Sequence, residues 1–274
     1  MMHDRSRTTG ETLLSVVLLI VLIGMLLPFA WMVVGSVSPY WDARWFNPFT
    51  ETPRWGNYAD LFVSMPFGFY LFNSAIVAII VTIGNVLLCF PVGYALARRR
   101  FPGRKFLFAS SAIVLMVPQY VLIVPMFILI HQLGIYDTLA AIILPVIVMP
   151  LGVLLVRSAV SSVPIEVEEA ARVDGAGPWR IVYRIVMPIC KPTLAVLAVQ
   201  VFWLTWNSFL FPFILTNEKA RTLPVALAMF RGYQGVDMPH LFAASTIATV
   251  PVLIVFLFFQ RQIIAGITAG AVKG

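Results

Sequence analysis

Charge is the scarcest commodity in this sequence. Only 11% of its 274 residues are charged and 60% are hydrophobic, whereas a soluble domain carries about 25% charged and about half apolar residues. With a mean hydropathy of +0.92, the chain cannot cover its surface with polar groups, so part of its solvent is lipid. Long polar blocks are missing too, which argues for one membrane domain. No G-x-x-x-x-G-K-[ST] run occurs, which excludes nucleotide binding by a P-loop. G-x-S-x-G and H-E-x-x-H are likewise absent. The three histidines, His3, His131 and His240, are far apart and form no metal-ligand spacing. The two cysteines, Cys89 and Cys190, fall in or near the cytoplasmic ends of apolar runs. A reducing compartment there argues against a disulfide, and they are expected to be small buried hydrophobes. Carboxylates, lysines and arginines are absent from the apolar runs, which argues against a proton relay. No basic face is interleaved with exposed aromatics, so nucleic acid is not an expected partner.

What is present is apolar length. Uncharged runs cover Thr12–Ser38, Leu71–Ala97, Phe106–Ile130, Thr138–Val156, Pro192–Asn217 and Met238–Gln260. Each is near the ~20 residues a helix needs to cross about 30 Å of hydrocarbon. They lack the period-two alternation of a barrel, and lipid forbids open sheet edges, so six helices are expected. The first run has no long basic leader and no small-residue cleavage site, and is read as a retained helix. With the N-terminus inside, the cytoplasm receives Arg5 and Arg7, the group Arg98 to Arg100 with Arg104 and Lys105, then Arg157, Arg172, Arg180, Arg184 and Lys191, and finally Arg261 and Lys273. Only Arg44, Arg54, Lys219, Arg221 and Arg231 fall outside. This satisfies the positive-inside rule with both termini in the cytoplasm, and it accounts for the net charge of +7.

One segment breaks the hydrophobic pattern. Residues 157–191 are too polar for lipid. Pro164 suits a helix start, and Glu166, Glu168 and Glu169 complement the positive end of the helix dipole. Gly175 should stop that helix in a left-handed conformation, and Gly177 and Pro178 should turn the chain into a second short helix. Two short helices at an angle are therefore expected on the cytoplasmic face. Ala170 and Ala171 let another backbone approach closely, with Glu169 and Arg172 available for charged contacts at the rim. By helix chemistry alone, this helix either docks in a partner's groove or lies solvated at the interface.

The segment resembles the EAA loop of ABC importer permeases, in which E-A-A is followed by three variable residues, a glycine, nine variable residues and I-x-L-P. Glu169, Ala170, Ala171, Gly175, Ile185 and Pro188 stand at that spacing, with Met187 in place of leucine. Asn73-Ser74-Ala75-Ile76, Tyr94-Ala-Leu-Ala-Arg98, Phe101-Pro-Gly-Arg104, Phe202-Trp-Leu-Thr-Trp-Asn-Ser-Phe209, Arg221-Thr-Leu-Pro224 and the tail from Gly266 resemble carbohydrate-importer permeases of the maltose-transporter type. The resemblance implies an all-α polytopic membrane protein with the type I ABC importer permease (MetI-like) fold. It would have a transmembrane core over 70–265, a first helix and outer loop over 1–69, and a short tail over 266–274. It implies a non-enzymatic subunit of a binding-protein-dependent importer in the cytoplasmic (inner) membrane. Its expected partners are a homologous second permease, two copies of a cytosolic ATPase that hold ATP and Mg2+, an extracytoplasmic solute-binding protein and a carbohydrate. No cofactor is expected in this chain. Coupling to the ATPase is expected at Glu169, Ala170, Ala171, Arg172, Asp174, Gly175 and Ala176. Importing a non-sugar solute is the alternative; a passive facilitator would leave the EAA segment idle.

Sugars need hydrogen-bond partners and flat aromatic faces. Gln200, Trp203 and Asn207 share a helical stripe, flanked by Trp206 and Ser208, and are the candidate substrate path. The other reading of these polar groups, and of Asn85 and Gln119, is that they hydrogen-bond between helices and hold the bundle or the permease pair together. Pro91, Pro118, Pro125, Pro145, Pro150, Pro212 and Pro251 are hinges or static kinks. In the outer loop, Trp41, Trp45, Phe46 and Trp55 either meet the binding protein or form an interfacial belt.

Overall fold

The computed structural model describes residues 9–39, 52–232 and 235–271. The expectations on His3, Arg5, Arg7, Trp41, Arg44, Trp45, Phe46 and Lys273 concern residues outside this range. The helices are α1 (Thr9–Ser36), α2 (Gly56–Ser64), α3 (Phe67–Arg98), α4 (Arg104–Met116), α5 (Ile123–Gln132), α6 (Leu139–Ile143), α7 (Pro150–Ser162), α8 (Ile165–Val173), α9 (Pro178–Arg180), α10 (Met187–Ile189), α11 (Lys191–Trp206), α12 (Leu210–Leu215), α13 (Leu223–Ala228) and α14 (Met238–Ala271). A π turn over Ile181–Val186 joins α9 to α10. A two-residue antiparallel pairing, β1 (Arg231–Gly232) with β2 (Gly235–Val236), precedes α14.

Among the described residues, four stretches are long and apolar enough to cross a membrane unbroken: Gly10–Ser36, Phe67–Arg98, Leu139–Ser162 and Met238–Gln262. Six spans are reached when each of two bent pairs counts as one. The run 106–130 is not one straight helix: Arg104–Met116 and Gln119–Gln132 meet at 96°. Pro118 has no amide to donate and pushes Val117 out of the helical region, to φ −80°, ψ 120°. The run 192–217 also differs from expectation. Its helix, α11, ends at Trp206, and the segment Pro178–Ile189 precedes it at 81°. The segment before Met65 contains α2, a helix the sequence did not announce.

The chain divides into two compact units. The smaller comprises 1–66 and 227–249. Within it, Asn57 Nδ2 donates to the carbonyls of Ser36 (2.9 Å) and Ser38 (2.8 Å), and the hydroxyls of Ser36 and Tyr58 lie 2.6 Å apart. These bonds tie α2 to the end of α1. Much of α1 is bare, with Leu13, Ile20 and Leu27 each about 60% exposed, as suits a helix solvated by lipid or by another protein.

The larger unit comprises 67–226 and 250–274. Its core is built from α3, α6, α7, α8, α11 and the π turn, through Val81, Phe90, Val156, Val160, Ala171, Val186 and Leu197. Asn85, fully buried on α3, spans the break before α7. Its Nδ2 donates to the Val146 carbonyl (2.8 Å) and its Oδ1 accepts from the Met149 amide (2.8 Å). A broken helix in lipid must have its freed backbone groups satisfied, and Asn85 does this.

Candidate functional site

The polar segment folds as the two-helix unit its sequence suggests, and each end of α8 has a physical cause. Pro164 precedes the first turn, which carries Glu166 and Glu168. At the other end Gly175 adopts φ +77°. Its amide bonds to the Arg172 carbonyl (3.0 Å) and the Ala176 amide reaches the Ala171 carbonyl (2.9 Å). This pair of bonds satisfies carbonyls the helix end leaves open.

What holds α8 to the bundle is Glu168, whose side chain is completely buried. Tyr94 Oη donates to its Oε2 at 2.6 Å and Arg98 Nε to its Oε1 at 2.7 Å, while Arg172 Nη2 lies 3.4 Å from Oε2. Arg98 Nη2 also donates to the Val163 carbonyl just before α8. A buried carboxylate without partners would be prohibitively costly; three donors and two cations make it a fixed pin. Ala171, one turn on, is buried on the same side. Glu169, Ala170, Asp174 and Gly175 face outward with Arg172, and Val173 is 88% exposed. Trp179, 70% exposed, stacks on Tyr183 at 5.9 Å. α8 thus presents an apolar, small-residue ridge with a charge on each side, backed by an ion pair.

At the opposite end of α3, a second set of polar contacts joins segments distant in sequence. Asn73 Nδ2 donates to the Arg221 carbonyl (2.9 Å), and Ser74 Oγ accepts from the Leu223 amide (2.8 Å). Two stretches singled out in the sequence, Asn73–Ile76 and Arg221–Pro224, are therefore bonded neighbours. Asp137, at φ 56°, accepts from the amides of Asn217 (2.7 Å) and Ala220 (3.1 Å) and lies 3.3 Å from that of Lys219. It fixes the loop that carries Arg221.

Residues 89–268 match the family described as binding-protein-dependent transport system inner membrane component. The chain belongs to this family. Among relatives of this inner membrane component, the trehalose transport system permease protein SugB of Mycobacterium tuberculosis is 33% identical over 254 residues, covering 91% of this chain and 93% of SugB. The trehalose/maltose transport system permease protein MalG of Thermococcus litoralis is 33% identical over 278 residues, covering 98% and 99%. In fold, it is similar to a chain of a bacterial ABC transporter involved in the import of the acidic polysaccharide alginate, with TM-score 0.80 and 20% identity, covering 96% of this chain and 99% of that one. Its architecture is that of an all-α ABC importer permease.

The structure of this inner membrane component separates residues that the sequence grouped. Glu169, Ala170 and Ala171 divide, with Ala171 turned inward. On α11, Trp203 is 54% exposed and Gln200 is half-buried, and Asn207, just past the helix end, is exposed. Asn207 Nδ2 donates to the Trp203 carbonyl (2.8 Å), so it closes the end of its own helix. Trp206 is buried and stacks on Phe202 at 5.6 Å. Ser208 follows the helix end, its amide on the Thr205 carbonyl. Glu168 and Asp137 were not marked as functional by sequence reasoning. Glu168 had one available signal: it precedes Ala171 by three residues and so shares its face. Asp137 had none.

Proposed function

We propose that this chain is a permease subunit of an ATP-driven, binding-protein-dependent importer for a carbohydrate. The observation that carries the coupling half of this reading is α8: a helix pinned by Glu168 to Tyr94 and Arg98 that turns Glu169, Ala170 and Val173 outward. A cytosolic ATPase, carrying ATP and Mg2+, would receive that ridge in a groove. The rigid link from Glu168 to α3 would pass its closing motion into the membrane. The far end of α3 holds the Arg221 loop through Asn73 and Ser74, so both ends would move together. The carbohydrate half is supported by relatives named for trehalose and maltose. Gln200 and Trp203 on α11, with Asn207 at its end, would line the path toward a second, homologous permease. The assembly would contain two ATPases and receive sugar from a solute-binding protein. Both termini of the chain, with α8, would be cytoplasmic.

The test is copurification in mild detergent from the native membrane, followed by identification of the proteins retained. A second permease and an ATPase are expected with the wild-type chain. Glu169→Lys should lower ATPase recovery about tenfold, the equivalent of ~1.4 kcal/mol of docking energy, while leaving the chain inserted. Undiminished ATPase recovery with that variant would overturn the docking assignment, and recovery of the chain alone would overturn the importer reading.

A further inference from the structure

At the α8 end of the larger unit, the turn that follows α3, the first turns of α4 and Arg157 of α7 line an open groove of about 720 Å³. Its wall carries Arg100, Arg104, Lys105 and Arg157 together with Phe106 and Phe108, and no carboxylate. Among the described residues none of these four cations forms an ion pair. Arg104 is engaged in closing α3, with Nε on the Leu96 carbonyl (2.9 Å) and Nη2 3.4 Å from that of Ala97. The Arg157 guanidinium lies 4.1 Å from the centre of the Phe108 ring. Arg100 and Lys105 are exposed and uncommitted. The groove also receives the start of α4, where Gly103 at φ +83° supplies no side-chain cap. The positive end of that helix dipole adds to the field of the four side chains.

Like charges gathered without a counter-charge repel one another, so the arrangement calls for an anion. Its location says which kind. The apolar stretch of α3 ends at Ala97 and that of α7 at Val156, so the cations stand where hydrocarbon gives way to headgroups. Phe106 is 73% exposed and Phe108 37% exposed beside them. A soluble anion gains nothing from bare phenyl rings, whereas a phospholipid brings acyl chains to them. We propose that this groove binds the phosphodiester headgroup of an anionic glycerophospholipid, with Phe106 and Phe108 against its acyl chains. Basic pockets between transmembrane helices recognise such headgroups by this chemistry. The inference rests on the membrane placement of the chain and is independent of ATPase docking.

The experiment reconstitutes the full chain in vesicles of equal phosphatidylglycerol and phosphatidylcholine, extracts it gently, and counts retained lipids by native mass spectrometry. The wild-type chain should retain phosphatidylglycerol preferentially. Arg100→Gln and Lys105→Gln should each lower that preference about fivefold, with an unchanged melting temperature since both side chains are exposed. Arg261→Gln, a charge-matched change outside the groove, should leave it unaltered. Equal retention of the two lipids by the wild-type chain, or an unchanged preference in both groove variants, would overturn the proposal. Release of the lipid by millimolar inorganic phosphate would overturn it in favour of a small-anion site. Full lipid retention with loss of a copurifying protein in the groove variants would overturn it in favour of a protein dock. Lipid counting requires no ATPase, so its outcome is separable from that of the copurification.

Discussion

Glu168 shows most directly how one side chain joins the polar segment to the membrane helices. Its carboxylate is fully buried, and its main partners come from Tyr94 and Arg98, about seventy residues earlier in the chain. Removing one member of a buried pair costs about 3–5 kcal/mol, because the other is left desolvated and alone. Glu168→Gln, which leaves Arg98 without its counter-charge, is therefore expected to lower thermal stability in detergent strongly. Arg98→Met should do so too, and the double variant Glu168→Gln/Arg98→Met should lose less than the sum of its single changes. Strict additivity would show that the pair does not act as a unit. Gly175 presents the opposite case. Nothing lies within 4 Å of a Cβ placed there, so Gly175→Ala should cost only the backbone strain of φ +77°, about 1–2 kcal/mol. Gly175→Asn should cost less, since asparagine tolerates that region; equal losses in melting experiments would argue against this account. Gly175 was legible in the sequence because a helix stop is local. Glu168 was not, because its partners were fixed only when the chain folded.

Between elements, the contact of α3 with α7 sets the geometry of the larger unit. A Cβ on Gly93 would stand 2.7 Å from Val156 Cγ1 and 2.9 Å from the Arg157 amide nitrogen; one on Gly152 would stand 3.0 Å from Cys89 Sγ. The helices meet through small residues, as membrane helices do when packing replaces the hydrophobic effect as the driving force. Gly93→Val should destabilise by about 1–3 kcal/mol through overpacking. Adding Val156→Ala should restore part of the loss, the backbone contact at Arg157 accounting for the remainder; no recovery in a detergent melting series would mean the contact is not as close as described. Hydropathy located all of these apolar stretches but could not give their direction. The 96° break at Pro118 and the end of α11 at Trp206 depend on which backbone groups find partners, and hydropathy does not count partners.

For the whole molecule, lysine and arginine placement remains the guide to orientation. With the N-terminus inside, Lys219 lies outside and Arg180 inside. In right-side-out vesicles a membrane-impermeant maleimide should label Lys219→Cys directly and Arg180→Cys only after permeabilisation. Cys89 and Cys190 are buried and should give little background. The reverse pattern would invert the topology and overturn the proposed docking of α8 to a cytosolic ATPase. Broad apolar exposure also continues over α4 and α5, with Met116 at 82%, Tyr120 at 69% and Val124 at 67%. Such a surface is stable only against lipid or another apolar protein, in keeping with an inner membrane component.

The sequence by itself determined the solvent, the number of apolar stretches and the position of the polar two-helix segment. Each follows from composition or from residues within one or two turns of each other. Helix starts, glycine stops and apolar length are local properties and survive without a fold. Only the tertiary structure decided that Glu168 is the pin while Glu169 faces outward, and that Asn73 and Ser74 hold the Arg221 loop. It alone also showed that Asp137 braces that loop and that four cations from two helices and the turn after α3 line one groove. These depend on burial and on partners tens of residues away, and a buried polar group acquires its role only when packing excludes water and supplies its partner.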